Sequence, residues 1–195
     1  LFRSGIYLGV SGGAIGAAID GDYTDGTSNG RVSKGTAGAV SGTVGAEGGF
    51  SFSLNDTAFL SVNVNWNPVD AEFKADDAVN ADDVKVVFDD MIELSIEPSF
   101  SLTDNSAFFV KAGISEFSVD VSGTGVDAAQ SFDVSGSSVG VGTKTITDSG
   151  VYIKTEVGMS SYDGFTVQNV GTNDGTSKVS GIDTAYGKIL IGRKF

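Results

Sequence analysis

Apolar and polar residues alternate one by one over long stretches of this chain. Val40, Val44, Ala46, Phe50, Phe52 and Leu54 share one parity, while Ser41, Thr43, Glu47, Ser51 and Ser53 take the other. Ala58, Leu60, Val62, Val64 and Trp66 alternate with Ser61, Asn63 and Asn65. Val86, Phe88, Ile92, Leu94, Ile96, Phe100 and Leu102 stand opposite Lys85, Asp89, Glu93, Ser95 and Glu97. A period of two over this length predicts β-strands, and no segment carries a helical period. Eight strands are predicted: Gly5–Ala17, Ala37–Leu54, Thr57–Trp66, Val84–Leu102, Ala107–Val121, Val139–Ile146, Val151–Ser161 and Val179–Phe195. In the fifth, Phe108, Val110, Ala112 and Ile114 share a face before Phe117, Val119 and Val121 take the other, which predicts a bulge near Gly113–Glu116. The sixth alternates least well, because Lys144 and Ile146 share a parity.

The strands are punctuated in two ways. SFSLNDTAF, SFSLTDNSAF and TKTITDSGVYI are three versions of one phrase, centred on Asp56, Asp104 and Asp148 and recurring about every 46 residues. Their Asp, Asn, Ser and Gly residues are tight-hairpin chemistry. Between them lie longer polar segments, Ala18–Thr36, Asn67–Asp83, Ser122–Ser138 and Thr166–Lys178, which read as exposed loops. Sequential antiparallel strands with alternating short and long connections predict an all-β, eight-stranded up-and-down barrel forming one domain over residues 1–195.

Alternation alone leaves the direction of the apolar face open. A soluble barrel turns it inward and a membrane barrel outward. The polar face carries Glu47, Asp89, Glu93, Glu97, Lys111, Lys154, Glu156 and Lys188 well inside the strands, separated by Ser, Thr, Asn and Gly. Small residues and opposite charges suit a narrow interior better than a solvated surface. Aromatic residues gather at both strand ends: Phe50, Phe52, Phe59, Phe100, Phe108, Phe109 and Tyr152 beside the short turns, and Trp66, Phe88, Phe117, Tyr162 and Phe165 toward the long segments. Eight steps from Ala58 to Trp66 give about 20 Å of height at ~3.3 Å per residue and a tilt of ~40°, near the ~25 Å apolar band of membrane barrels. From these positions Phe50, Phe52, Trp66, Phe100, Phe108, Tyr152 and Phe195 are expected to form an outward aromatic girdle.

The last strand, Tyr186-Gly-Lys-Ile-Leu-Ile-Gly-Arg-Lys-Phe195, resembles the terminal signature of bacterial outer-membrane β-barrels. Ile189, Ile191 and Phe195 fit the outward parity; Arg193 departs from it, at a position usually aromatic or apolar, with a side chain long enough to reach headgroups. Gly5-Ile-Tyr-Leu-Gly-Val-Ser-Gly-Gly-Ala14 is similar to the first strand of small opacity-type or OmpA-like barrels. The resemblance covers the whole chain as a pattern and carries no catalytic motif. It implies residence in the outer membrane, contact with lipid and lipopolysaccharide, and recognition of the strand ending at Phe195 by the assembly machinery. A start at Leu1 rather than Met fits removal of a signal peptide.

Charge and composition narrow the function. The formal charge is −13, with only 12 basic residues scattered among 25 acids, which disfavours a nucleic-acid partner. Assigning Glu47, Asp89, Glu93, Glu97, Glu116 and Glu156 to the interior or its rim, with Arg3, Lys85, Lys111, Lys154, Lys188 and Lys194, leaves the acidic excess on loops, turns and edges. No His and no Cys are present, so the commonest general base and thiolate chemistry are absent. Glu93 and Glu97 lie about 13 Å apart along a strand, too far for a glycosidase pair, and suit partnership with Lys111 or Lys154. Asp20-Gly-Asp-Tyr-Thr-Asp-Gly26 resembles a calcium loop only loosely, without EF-hand spacing, and Ala75–Asp83 is a second acidic run; both read as solvated acid, with collection of divalent ions that bridge to anionic lipopolysaccharide as the alternative. No cofactor or metal is expected. The expectation is a non-enzymatic barrel with a filled interior and a structural or surface-interacting role through acidic outer loops. A small-solute channel, a self-associating or adhesive surface protein in an oligomer or array, and a soluble or appendage-forming β protein are the alternatives.

Overall fold

The computed structural model describes residues 4–24, 26, 30, 32–68, 71–76, 83–123, 126, 128–170 and 175–195. The strands are β1 (Gly5–Thr24), β2 (Val32–Ser53), β3 (Ala58–Asn67), β4 (Ala71–Asp76), β5 (Asp83–Ser101), β6 (Ser106–Ser122), β7 (Gln130–Ile146), β8 (Val151–Val170) and β9 (Gly175–Lys194). Every pairing is antiparallel and runs between neighbours in the order β3-β2-β1-β9-β8-β7-β6-β5-β4, and a β3–β5 ladder closes the ring. The short β4 is not a ninth stave. It pairs with residues 83–88 of β5, end to end with β3, which pairs with residues 91–100 of the same strand. The molecule is an all-β, eight-stranded up-and-down barrel.

Most of the segments read as loops are sheet. The β1–β2 ladder continues to Thr24↔Val32, β7 begins at Gln130, and the β8–β9 ladder reaches Val170↔Gly175. Their Gly, Ser and Asp content looked loop-like because the chemistry of both faces changes there. Lower on the barrel the outward row is apolar, as in Ile6, Leu8, Val10, Ile92, Leu94 and Ile96, all exposed. Toward the long-segment end the outward row turns polar, as in Ser118, Asp133, Ser161 and Asp163, and the inward row turns apolar. Phe117, Val119, Val121, Val134, Tyr162 and Ile182 form a buried cluster inside the barrel at this level.

This inversion replaces the bulge expected at Gly113–Glu116. Strand β6 keeps its odd residues inward from Ala107 to Val121 with no interruption; what changes is the chemistry of that row. The bulge lies on the neighbouring strand, where Asp90 and Met91 stand opposite Phe117 alone, between the pairs Asp89↔Ser118 and Ile92↔Glu116. Asp90 has φ 50°, the left-handed conformation found at the first position of G1-type bulges. One extra residue exchanges the faces of β5. Val86 and Phe88 pack against the inner cluster, whereas past the bulge the odd residues Glu93, Ser95, Glu97 and Ser99 are buried.

The three short turns are fixed by the residue before each central Asp. Asn55 Oδ1 accepts from the backbone N–H groups of Thr57 at 2.9 Å and Ala58 at 2.8 Å. Thr103 Oγ1 accepts from Ser106 N–H at 3.0 Å and Thr147 Oγ1 from Val151 N–H at 3.1 Å. At the same end the chain closes on itself, the Phe195 N–H donating to Ile6 O at 2.8 Å.

Candidate functional site

Inside the barrel, next to the turn end, Tyr7, Phe59, Ala107, Ile146, Tyr152 and Leu190 form a small apolar layer. Above it the inward rows bring four lysines and four glutamates together. Lys154 is central: its Nζ lies 2.8 Å from Glu47 Oε1, 2.5 Å from Glu97 Oε1 and 3.1 Å from Glu156 Oε2. Lys111 bridges Glu93 Oε1 and Glu156 Oε1, each at 2.6 Å. Lys144 sits 2.6 Å from Glu97 Oε2 and donates to Ser61 Oγ at 3.1 Å and Ser99 Oγ at 3.3 Å. Lys188 lies at longer range from Glu47, 3.5 Å, and Glu156, 3.7 Å. These eight groups cancel in charge. Removing lysine and glutamate from water costs several kcal/mol per ion, and only multiple short pairs of opposite sign offset it.

Neutral groups complete the cluster. The Tyr186 hydroxyl donates to Glu156 Oε1 at 2.7 Å, and the Ser138 hydroxyl donates to Glu93 Oε1 at 3.0 Å. The Tyr7 hydroxyl contacts Asn63 Oδ1 and Glu47. The lysine heads also lie over rings: Lys144 Nζ is 4.9 Å and Lys154 Nζ 5.1 Å from the Phe109 centroid, and Lys111 Nζ is 4.9 Å from that of Tyr186. Room for these rings comes from glycine. Tyr7, Phe109, Tyr162 and Tyr186 each lie directly across from Gly49, Gly142, Gly136 and Gly158 on the next strand, where an added Cβ would collide with the ring.

The structure places Glu47, Glu93, Glu97, Lys111, Lys154, Glu156 and Lys188 in this one cluster. Asp89 does not share their row: the β5 bulge gives it Ser118 as register partner and sets it at the border of the cavity above. The same exchange of faces pairs Lys85 with Ser122, off the inward row. Glu116 is exposed on the outer face, because β6 has no parity slip. Lys194 is half-buried at the turn-end rim, and Arg3 lies outside the described residues. Lys144 joins the cluster although the alternation did not assign it. Its shared parity with Ile146 was the available signal: the interior passes from ions to apolar groups between these two positions, so both point inward.

Phe50, Phe52, Trp66, Phe100, Phe108 and Phe195 are all exposed on the outer face. Trp66 Nε1 donates toward Asp90 Oδ1 at 3.4 Å, where the outward row changes from apolar to acidic. Tyr152 belongs inside. It is 2 % exposed and its ring lies 4.8 Å from that of Tyr7. The outward positions beside it are Val151 and Ile153, so its nearness to a turn was misleading about its face. Phe59 and Phe109 are interior for the same reason of parity. Arg193 points outward with its guanidinium 5.9 Å from the Phe195 ring.

Asp20 and Asp22 belong to strand β1 and not to a loop, and are engaged by Thr36 at 2.7 Å and Lys34 at 3.5 Å. Asp25 lies outside the described residues. Among the described residues no three acidic side chains converge as a metal site. The cluster's carboxylates face ammonium groups, hydroxyls and rings, an arrangement that fills space and fixes strands.

The architecture defines a class, the small eight-stranded antiparallel barrel with an apolar outer face and a charged interior. The chain is similar in fold to the outer membrane protein OprG from Pseudomonas aeruginosa, with TM-score 0.56 and 15% identity over 99% of this chain and 97% of that one. It is also similar to the outer membrane protein AlkL, solved in DMPC bilayers, with TM-score 0.55 and 13% identity over 100% of this chain and 92% of that one. Ail, the attachment invasion locus protein of Yersinia pestis, matches at TM-score 0.50 and 12% identity, over 96% and 99% of the two chains. No family model and no curated protein sequence matches.

Proposed function

We propose that this chain is a non-enzymatic outer-membrane β-barrel, a single domain whose interior is closed by side chains. Its role is structural or surface-interacting, through the acidic outer ends of its hairpins. One observation carries the reading. Over the same strands and at the same height, ion pairs line the inside while Ile, Leu, Val and Phe cover the outside. A continuous exposed apolar belt is unfavourable in water and favourable in hydrocarbon, where a closed ring of strands leaves no backbone group unpaired. The fold likeness to OprG and AlkL supports the same location. Lipid is then the belt's partner, lipopolysaccharide headgroups meet the acidic outer row, and the strand ending at Phe195 is the segment offered to the assembly machinery.

The closed interior follows from size and from the cluster. Eight strands leave room for side chains and little else. Here the turn-end apolar layer and the ion-pair layer lie in series across the lumen. Planar-bilayer recordings test this part. Stable, sizeable conductance steps would overturn it; a bilayer that stays silent at the same protein load is the expected result. Heat-dependent migration on SDS gels, with folded protein extracted only by detergent, is expected of the membrane reading. Folded protein in the soluble fraction would contradict it.

A further inference from the structure

Between the ion-pair layer and the upper apolar cluster lies a cavity of about 90 Å³. Its two ends differ in chemistry. Toward the ions it is lined by Glu93 and Lys188 of the cluster with Asn65, Thr184 and Tyr186; toward the outer end by Phe88, Phe117 and Ile182, with Asp89 at its border. Asn65 is 3 % and Thr184 7 % exposed, and both belong to inward rows. Among the described residues, Asn65 Oδ1 and Thr184 Oγ1 are buried polar atoms without a hydrogen-bond partner, and both residues line this one cavity. Buried carbonyl and hydroxyl oxygens are almost always paired, so two orphans on one cavity wall mark a place where a bonding partner belongs.

We propose that this cavity binds a short-chain alcohol: one hydroxyl and an apolar body of three or four carbons. Size sets the upper limit. The cavity is smaller than the roughly 150 Å³ that admits benzene in an engineered protein core. The hydroxyl follows from the orphans. Asn65 Oδ1 accepts only, so the occupant must donate, and Thr184 Oγ1 can donate to or accept from the same kind of group. The apolar body follows from the rings and Ile182 at the other end, and a net-neutral occupant follows because Glu93 and Lys188 on the wall are already paired, with Lys111 and with Glu47 and Glu156. The inference goes beyond the closed-barrel reading, because a molecule can be held above the ion pairs without crossing them.

The chain has two methionines, which supply the probe and its control. Met91 lines the cavity, while Met159 is 64 % exposed on the outer face. In protein carrying ¹³C-methyl methionine in lipid nanodiscs, titration with 1-butanol is expected to shift the Met91 signal saturably and leave Met159 unshifted. Diethyl ether, the same atoms without a donor, should bind at least about tenfold more weakly, as a site built for a hydroxyl rejects a ligand lacking it. Thr184→Val and Asn65→Leu should each reduce butanol affinity by about tenfold. Thr184→Val keeps the side-chain shape, so it tests the site even where Asn65→Leu fails to give a heat-modifiable barrel. Four results overturn the proposal: an unmoved Met91, a Met91 shift that only tracks Met159 as both respond to alcohol in the lipid, ether binding equal to butanol, or a folded Thr184→Val that binds as the parent does. A silent bilayer with no Met91 response rejects the site and keeps the closed barrel, and conductance with a saturable Met91 response does the reverse.

Discussion

Lys154 is the residue on which the interior depends most. Three carboxylates, from Glu47, Glu97 and Glu156, converge on its ammonium within 3.1 Å. Lys154→Met keeps most of the volume and removes the charge, leaving Glu47 without its shortest cationic partner. Breaking a buried pair by deleting one member costs about 3–5 kcal/mol. Urea unfolding of the barrel in lipid vesicles should show a loss of that order, little changed by added salt because buried pairs are weakly screened. Gly158 is a quieter case. A methyl there meets the Tyr186 ring, which must shift and lengthen its bond to Glu156. Gly158→Ala should cost about 1–3 kcal/mol in the same assay, the usual range for overpacking, whereas Gly35, with open space around it, should accept alanine with little change.

At the scale of elements, turns and bulge carry separable contributions. Asn55→Ala removes the acceptor for two backbone donors at the first short turn and should cost about 1 kcal/mol of unfolding free energy. Asp90 has the opposite sign: glycine adopts its φ of 50° without strain, so Asp90→Gly should be neutral or stabilising by up to about 1 kcal/mol. These elements also show what the sequence reveals. Strict alternation in β2, β3 and the lower part of β5 was legible because one solvent bathes each face there. The turns were legible from Asn-Asp and Asp-Ser chemistry. Strand ends above Ala17, Thr36 and Ser138 were not, since the exchange of inside and outside polarity removes the alternation cue without breaking the ladder. For the same reason Phe117 and Val119 suggested a bulge on β6, when the inserted residue lies across the ladder on β5. Tyr152 and Lys144 show the remaining gap. Each stands where ion-pair and apolar layers meet, and a two-letter pattern of apolar and polar has no symbol for that boundary.

For the whole molecule, a barrel with inverted polarity below and ordinary polarity above has one plane where the inversion occurs. Asp90, Glu116, Asp133 and Asp163 lie outward on one side of it, and Ile92, Ile114, Val139 and Met159 on the other. In the membrane reading this plane is the outer edge of the hydrocarbon, and the four lysines and four glutamates inside the barrel contribute nothing to the formal charge of −13. Trp66, the one tryptophan of the chain, is 46 % exposed at this plane. Its fluorescence in vesicles containing brominated lipid therefore tests most directly whether the outward apolar face meets hydrocarbon. The account expects emission shifted to the blue and strongly quenched, most by lipids brominated near the headgroup end of the chain. Emission indifferent to bromine at every depth would contradict it.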